Sequence, residues 1–341
     1  MMDLFPKPLR VALLLGGASA ERDVSMASAA EVIPALRGRG HSVDVFDTVK
    51  GRLGPADEAR VLTARVGSAP PDLALRPVAG MVPRLVEELL GADVVFLALH
   101  GGAGENGVVQ AILDSVGLRY TGSGHLASAM AMDKHLSKRL FRAAAVPTPD
   151  WVLLEPDDDP DSIPFEITPS SPVIVKPNAQ GSTIGLTLVE KPQTLHDAVR
   201  TARMHDTDVL VERFVAGREF VVGILDGRPL AVGEIKLRDK AIFDYEAKYQ
   251  VGGALEIFPA DISAALTAEL QELAVRAHES LKVGSYSRVD FRQDEEGRLW
   301  CLEVNTLPGL TATSLFPQSA QAAGITFPEL CERICRSASG G

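Results

Sequence analysis

Between Ser287 and Gly309 the chain reads SRVDFRQDEEGRLWCLEVNTLPG, and its carboxylates fall where a hairpin would set them face to face. Two alternating apolar runs flank an acidic turn. Glu296-Gly297 reads as a two-residue loop, because glycine accepts the positive φ that such loops require. Pairing residue 295 with 298 then sets Asp290 opposite Glu303, Val289 opposite Val304 and Phe291 opposite Leu302. Paired residues point to the same side of a ladder and neighbours alternate. Arg288, Asp290, Glu303 and Asn305 therefore share one face, and the apolar residues take the other. Opposed carboxylates with Cβ atoms roughly 5 Å apart repel unless a cation stands between them. Two carboxylates and an amide oxygen form a hard donor set suited to Mg²⁺. The strand runs on into Thr306-Leu307-Pro308-Gly309, where backbone N–H groups can approach an anion.

Lys176 is a second candidate. It follows the apolar run 173–175 and precedes Pro177-Asn-Ala-Gln-Gly181-Ser182-Thr183-Ile-Gly185, a stretch of small residues that can fold over phosphate while the lysine supplies charge. It lacks the Gly-Lys-Ser/Thr ending of a P-loop. Near the N-terminus, Gly16-Gly17-Ala-Ser-Ala-Glu21-Arg22-Asp23 joins a strand to a helix, a junction whose unpaired N–H groups face ligands. His100 closes another apolar run and opens the glycine-rich loop 101–107.

The elements that must position these groups follow from the apolar patterning. Residues 10–15, 41–46 and 93–99 read as strands, with helices at 24–37 and 81–90. Strand, loop and helix alternate, so this region is a small parallel α/β unit with ligands expected beyond the carboxyl ends of its strands. Residues 51–71, rich in Gly, Pro and Ala, read as a surface connection. Tyr120-Thr-Gly-Ser-Gly124 marks a boundary, followed by Met132-Asp-Lys134 and a helix to 145. Beyond a helix ending near Arg203, strands at 209–215, 219–224 and 230–235 open an antiparallel region. The fold class is thus α/β, becoming α+β in the C-terminal part. The stretch 243–259, with Phe243-Asp-Tyr-Glu-Ala-Lys248-Tyr249-Gln, reads as a lid. Helices at 266–281 and 328–336 flank the hairpin.

A chain of 341 residues can hold two or three cores. Its 46% hydrophobic and 23% charged residues are a globular balance. A net charge of −11 argues against nucleic acid or an anionic membrane as partner. Apolar runs are strand-sized, far below the roughly 18 residues of a membrane span, and no stretch reads as a signal peptide. Cys301, Cys331 and Cys335 lack metal-ligand spacing and read as reduced core residues of a cytoplasmic protein.

Taken in order, Gly16-Gly17-Ala-Ser-Ala-Glu21-Arg22, His100-Gly-x-x-Gly-Glu-Asn-Gly107, Tyr120-Thr-Gly-Ser-Gly, Met-Asp-Lys134, Lys176-Pro, Gly181-Ser182, Tyr245-Glu-Ala-Lys248-Tyr249 and Glu303-Val-Asn305-Thr-x-Pro-Gly309 resemble the D-alanine:D-alanine ligases of the ATP-grasp superfamily. The resemblance implies a three-domain ATP-grasp fold. An N-terminal parallel α/β substrate domain spans 1–122, a central domain 123–210, and a C-terminal domain 211–341 carries the metal hairpin and the lid loop. It implies ATP and two Mg²⁺ ions, with Mn²⁺ able to replace them, and D-alanine as substrate. It leaves a homodimer open. The implied reaction is phosphorylation of one D-alanine carboxylate by ATP and attack on the acyl phosphate by the amine of a second, for peptidoglycan precursor synthesis.

The resemblance also distributes roles. Lys134 and Lys176 contact phosphates, Glu212 and Val215 hold adenine, Glu219 takes the ribose, and Lys248 belongs to the nucleotide site. Asp290, Glu303 and Asn305 hold the metal ions. Glu21 binds the ammonium of the first D-alanine, Ser314 and Leu315 receive the carboxylate of the second, and His100 lines the substrate site. Arg288 and the Gly309 N–H stabilise the tetrahedral oxyanion, while Tyr249, Ser182 and Glu21 form a hydrogen-bonded set under the lid. Two positions depart from the family: Ser285 stands where glycine or alanine is usual, and Arg292 where an apolar residue is usual. On the hairpin face Arg292 can reach phosphate or tilt to solvent. A ligase for another D-amino or D-hydroxy acid, and a degenerate nucleotide-binding ATP-grasp module, are the alternative readings.

Overall fold

The computed structural model describes residues 7–67, 82–237 and 254–338. The N-terminal unit runs β1 (Arg10–Leu15), α1 (Arg22–Gly38), β2 (Ser42–Asp47), β3 (Gly51–Arg52), α2 (Pro55–Val61), α3 (Val82–Leu89), β4 (Val94–Leu97) and α4 (Val108–Ser115). Strands β2, β1 and β4 are parallel, and β3 adds an antiparallel edge. After its first residue β1 is buried throughout, as is β4. Strands covered on both faces need no polar alternation, which is why these read as unbroken apolar runs. The stretch expected to be a plain connection from residue 51 instead forms β3 and α2 in its described part. Pro55 starts α2, where its missing N–H has no intrahelical partner to lose.

Helices α5 (His125–Met132) and α6 (Lys134–Ala143) follow. Ala131 and Phe141 from them, with Val146, join the core of Phe220, Val222, Phe291 and Val304 on the C-terminal sheet. The central sheet is built from β5 (Trp151–Leu154), β6 (Val173–Pro177), β7 (Thr187–Val189) and β8 (Val209–Arg213), with helix α7 (Leu195–Arg203) over one face. Its order is β5-β8-β6-β7, antiparallel throughout. The C-terminal sheet takes β9 (Arg218–Leu225), β10 (Arg228–Leu237), β11 (Ala254–Ile257), β12 (Tyr286–Gln293) and β13 (Leu299–Asn305), in the order β11-β10-β9-β12-β13. Helix α8 (Ala264–Ser280) packs on it, and α9 (Leu315–Ala322) and α10 (Phe327–Arg336) return the chain to the N-terminal unit. Among the described residues no helix is long and apolar enough to cross a membrane. All three cysteines are free and buried, and burial pushes the Cys335 thiol up to about 12, which keeps it protonated and inert.

The hairpin reaches its expected central pairing by an unexpected route. Asp290 faces Glu303 and Val289 faces Val304, yet Phe291 pairs with Cys301 and not with Leu302. The Asp294 N–H donates to the Arg298 carbonyl at 3.0 Å, so the turn is a three-residue loop, 295–297, with Gly297 at φ 84°. The two-residue loop at 296–297 is corrected accordingly. Closing the loop one residue earlier would slip every pair by one and turn Glu303 to the wrong face. A bulge between Asp290 and Phe291 restores the register. It also re-aims Leu302, which lines a cavity beside Asp290, Arg292 and Glu303.

One polar staple joins the first and last helices. Arg39, which caps α1, donates to Glu332 of α10 at 2.6 Å, and Arg336 binds the other carboxylate oxygen at 2.8 Å. Burial alone would raise the Glu332 carboxyl, but the hydrogen bonds and charges of Arg336 and Arg39 hold it below the usual range. A depressed folded-state value means a stabilisation complete above the ordinary glutamate value and lost as pH falls through the depressed one. Because both arginines are partly solvated, Glu332→Gln should cost about 1 kcal/mol at neutral pH. In urea titrations the gap from wild type should close in acid; a gap unchanged by acid would refute the staple.

Candidate active site

Two cavities, of about 910 and 880 Å³ with their open mouths included, meet between the sheets. Lys134, Gln180, Gly181, Ser182 and Glu303 line both and form the wall between them.

One cavity lies over the central sheet. Lys176 on β6 and Glu212 on β8 come from paired antiparallel strands, and the lysine Nζ lies 3.0 Å from Glu212 Oε1. The other carboxylate oxygen is 2.5 Å from Lys138 Nζ, which also donates to Thr148 Oγ1 at 2.6 Å. Lys138 is wholly buried, and burial lowers it to about 8 against the pull of Glu212. Burial would raise Glu212, but the two lysine charges win and hold it below the usual range. Along the same wall stand Phe214, Val215, Glu219 and Arg292. Arg292 does not tilt to solvent: it is buried on the cavity wall, with its Nη2 2.9 Å from Glu219 Oε2 and its Nη1 donating to the Val215 carbonyl at 3.4 Å.

Lys134 is placed by interlocking motifs. Asp133 caps α6 by accepting from the Leu136 N–H at 2.9 Å, and Asn178, two residues past Lys176, donates to the same Asp133 oxygen at 2.9 Å. The Asn178 side chain also accepts the His135 N–H at 2.8 Å. The lysine Nζ then donates to the Gln180 carbonyl at 2.5 Å and stands 3.8 Å from Glu303 Oε2. Burial lowers its pKa, and Glu303 partly offsets that.

On the other side of the wall the N-terminal unit contributes Glu21, the residue capping α1. Ser182 Oγ donates to Glu21 Oε1 across the two domains. Ser182 and Thr183 both have positive φ, 49° and 64°, an uncommon strain for residues with a Cβ and one that gathers at functional loops. A Cβ at Gly101 would come within 2.5 Å of Glu21 Oε2 and one at Gly181 within 2.7 Å, so a side chain at either would push the carboxylate aside, and Gly101 also has a positive φ of 63°. His100 is buried against Ser28, 3.1 Å from Nε2, and the Leu307 backbone; burial lowers it to about 4, so it is neutral.

Glu105 is the residue the sequence reading passed over. It lines this cavity, and its Oε2 accepts the Gly101 N–H at 3.0 Å. Burial and the neighbouring Glu21 charge raise it to about 8. Its place in the motif after His100 was the available signal. Lys138 was also missed, since a lysine inside an amphipathic helix reads as a solvated one.

On the hairpin face Arg288 holds Asp290 in a fork, Nε to Oδ1 at 2.7 Å and Nη2 to Oδ2 at 2.8 Å. The Asn305 amide adds a bond to Oδ2 at 3.2 Å. Asp290, opposite Glu303 and beside the Asn305 amide, is a set of hard oxygen donors that fits a divalent cation. Gly309 lies under Ser314, where a Cβ would come within 2.8 Å of the Ser314 hydroxyl. Ser314 caps α9 and Leu315 begins it, so the helix N-terminus faces the cavity that both line. Lys248 and Tyr249 lie outside the described residues.

Three sheets with a nucleotide-sized cavity between the two antiparallel ones make this an ATP-grasp fold. Residues 10–123 match the model described as D-ala D-ala ligase N-terminus, and residues 140–336 the one described as D-ala D-ala ligase C-terminus. The chain belongs to the D-alanine–D-alanine ligase family. It is 40% identical over 327 residues to the D-alanine–D-alanine ligase of Gloeobacter violaceus, covering 96% of this chain and 98% of that one. A Synechococcus relative of the same name is 39% identical over 330 residues, covering 97% and 93%. The crystal structure of D-alanine–D-alanine ligase from Bacillus anthracis complexed with ATP superposes with a TM-score of 0.75 at 28% identity, covering 96% of this chain and 97% of that one.

The buried triad yields a stability test. Lys138→Met leaves Glu212 short of one counter-charge and should destabilise the protein by about 3 kcal/mol, the scale for breaking a buried ion pair. Adding Glu212→Gln should recover part of that loss in chemical denaturation, because the stranded charge is gone. Simple additivity of the two losses would contradict the coupling.

Proposed function

We propose that the protein joins two D-alanines to D-alanyl-D-alanine with ATP, through an acyl phosphate, in the cytoplasmic supply of peptidoglycan precursor. One observation carries the reading: the cavity bearing Lys176, Glu212 and Glu219 shares its wall with the cavity bearing Glu21, Arg288 and Ser314. A nucleotide in one presents its terminal phosphate to a carboxylate in the other. The division of labour follows domains at 1–122, 123–210 and 211–341, with both substrates clamped between them.

In the nucleotide cavity the ionised Glu212 accepts the adenine amino group, the Val215 backbone meets the ring edge, and Glu219 takes ribose hydroxyls. Lys176 and Lys134 supply positive charge to the phosphates. Asp290, Glu303 and Asn305 would hold two Mg²⁺ ions, which when bound neutralise phosphoryl charge. Across the wall, Glu21 takes the ammonium of the first D-alanine, and Ser182 keeps that carboxylate aimed. The N-terminus of α9, with Ser314 and Leu315, receives the carboxylate of the second. The guanidinium of Arg288, its plane set by Asp290, and the Gly309 N–H face the developing oxyanion. Loop residues Lys248 and Tyr249 are assigned to closure, which keeps water from the acyl phosphate. The second substrate is an amine, and a homodimer is compatible with the assignment.

ADP release from the purified protein should require D-alanine, and D-lactate should replace the second D-alanine poorly at pH 7. Asp290→Asn and Glu303→Gln should each abolish Mg²⁺-dependent turnover in a folded protein; normal rates in both would sink the metal assignment. Lys176→Ala should weaken ATP binding by about 1–3 kcal/mol, the range for a lost charge-assisted hydrogen bond, and calorimetry showing unchanged affinity would contradict its role.

A further inference from the structure

We propose that Glu105 is the proton acceptor that turns the second substrate's ammonium into the attacking amine. The inference rests on the ligase reading and adds a step that reading leaves unassigned. A D-amino acid enters as an ammonium at neutral pH and cannot attack until it loses a proton, so the cavity must hold a base near the reacting carbon.

The titratable and charged groups around that place are Glu21, His100, Glu105, Lys134, Glu256, Arg288 and Glu303, of which Glu256 is held by the Gln318 amide donating to its Oε2. Most have other commitments. Glu21 is bound by Ser182 and faces the first ammonium. Glu303 belongs to the hard donor set opposite Asp290. The two cations cannot accept a proton. His100 is tied to Ser28 and the Leu307 backbone, and at about 4 it would not retain a proton at neutral pH. Glu105 is left. It and Glu21 bracket Gly101: one carboxylate takes the Gly101 N–H at 3.0 Å, and an oxygen of the other lies 2.5 Å from where a Gly101 Cβ would stand. Glu105 lines the same cavity as Glu21, Arg288 and Gly309.

The pairing gives an order of events. Beside an ionised Glu21, Glu105 is held protonated by burial and like-charge repulsion, with a value of about 8. When the first ammonium neutralises Glu21, part of the repulsion disappears and Glu105 loses its proton more readily. The base is thereby primed only once the first substrate is in place. In the step itself an ammonium N–H bond breaks, its electron pair stays on nitrogen, and the proton goes to Glu105. The free amine then forms the C–N bond at the acyl carbon. The C–O bond to phosphate breaks with its pair on oxygen, and the second surplus proton on nitrogen leaves with the phosphate. Glu105 returns its proton to solvent as the dipeptide departs.

Hydroxylamine tests this, because it is already a neutral nucleophile at pH 7 and intercepts the acyl phosphate without needing a base. Glu105→Gln keeps the shape and an oxygen for the Gly101 N–H. In that variant dipeptide formation should fall by about a hundredfold, the scale of a lost general base, while D-alanyl hydroxamate formation stays within about twofold of wild type. Raising the pH, which supplies free amine from solution, should restore dipeptide synthesis in the variant more steeply than in wild type. A parallel fall in both products, or no fall in either, overturns the proposal. If the glutamine variant does not fold, Glu105→Asp goes through the same two assays, with a parallel fall again decisive against it. A wild-type protein that forms neither product would instead refute the ligase reading.

Discussion

Like charges held together in one cleft are the constraint on which the rest of this structure depends. Glu21, Glu105, Asp290 and Glu303 converge there in a chain whose net charge is already −11. Separated from bulk water, carboxylates at such spacing stay ionised only with counter-charge beside them. Arg288 forks onto Asp290, Lys134 stands next to Glu303, and Glu105, buried beside the Glu21 charge, has its pKa raised. The site is therefore tuned to take in positive charge, whether from the ammonium groups of amino acids or from metal ions. The buried cluster around Glu212 at the nucleotide cavity has the opposite bias, two lysines to one glutamate. An anionic ligand on one side and cationic groups on the other are drawn to a common wall.

That arrangement needs three sheets to keep their relative positions, and the packing shows what holds them. The core of the N-terminal unit does not stop at its own strands. Leu13, Phe46 and Val95 belong to one cluster with Tyr286, Leu307, Phe316, Leu330 and Ile334 from the C-terminal sheet and its last helices. Helices α5 and α6 are likewise shared, rising from the first unit but buried on the C-terminal sheet. The central sheet has a core of its own, with Val173, Val199 and Val211, and reaches the others chiefly through polar contacts such as Ser182 to Glu21 and Asn178 to Asp133. Apolar burial is what makes an interface rigid.

The hairpin shows how a local rule and a tertiary correction act together. Glu296-Gly297 has the composition of a two-residue loop, yet the acidic side chain of Asp294 takes the Arg298 N–H at 2.8 Å and closes a longer turn. Side-chain acceptors compete with backbone pairing in this way at Asp and Asn. The slip it introduces is cancelled by the bulge, which earns a second use by turning Leu302 into the nucleotide cavity. Asp290 and Glu303 thus meet as expected although both steps toward that pairing differ from the simplest ones.

The sequence alone determined most strands and helices and nominated the residues that the structure gathers around the two cavities, because apolar periodicity, glycine turns and motif order are local properties of the chain. Val11 to Leu15 must be a covered strand wherever it lies, and Asp133 must cap a helix whichever partner reads it. Lys176, Glu303 and Asn305 were legible for the same reason: their types and spacing limit the chemistry they can do. What residue spacing could not supply was contact across the chain. Ser182 lies 161 residues from Glu21, and Lys138 lies 74 from Glu212. Whether a lysine in an amphipathic helix is solvated or buried against a carboxylate depends on which sheet covers it, and whether Arg292 tilts to solvent or pairs with Glu219 depends on which strand lies beside its own, here β9, where Glu219 is its direct cross-strand partner. The tertiary structure alone decided those, since electrostatic energies are set by distance and burial, and neither is a property of sequence neighbours.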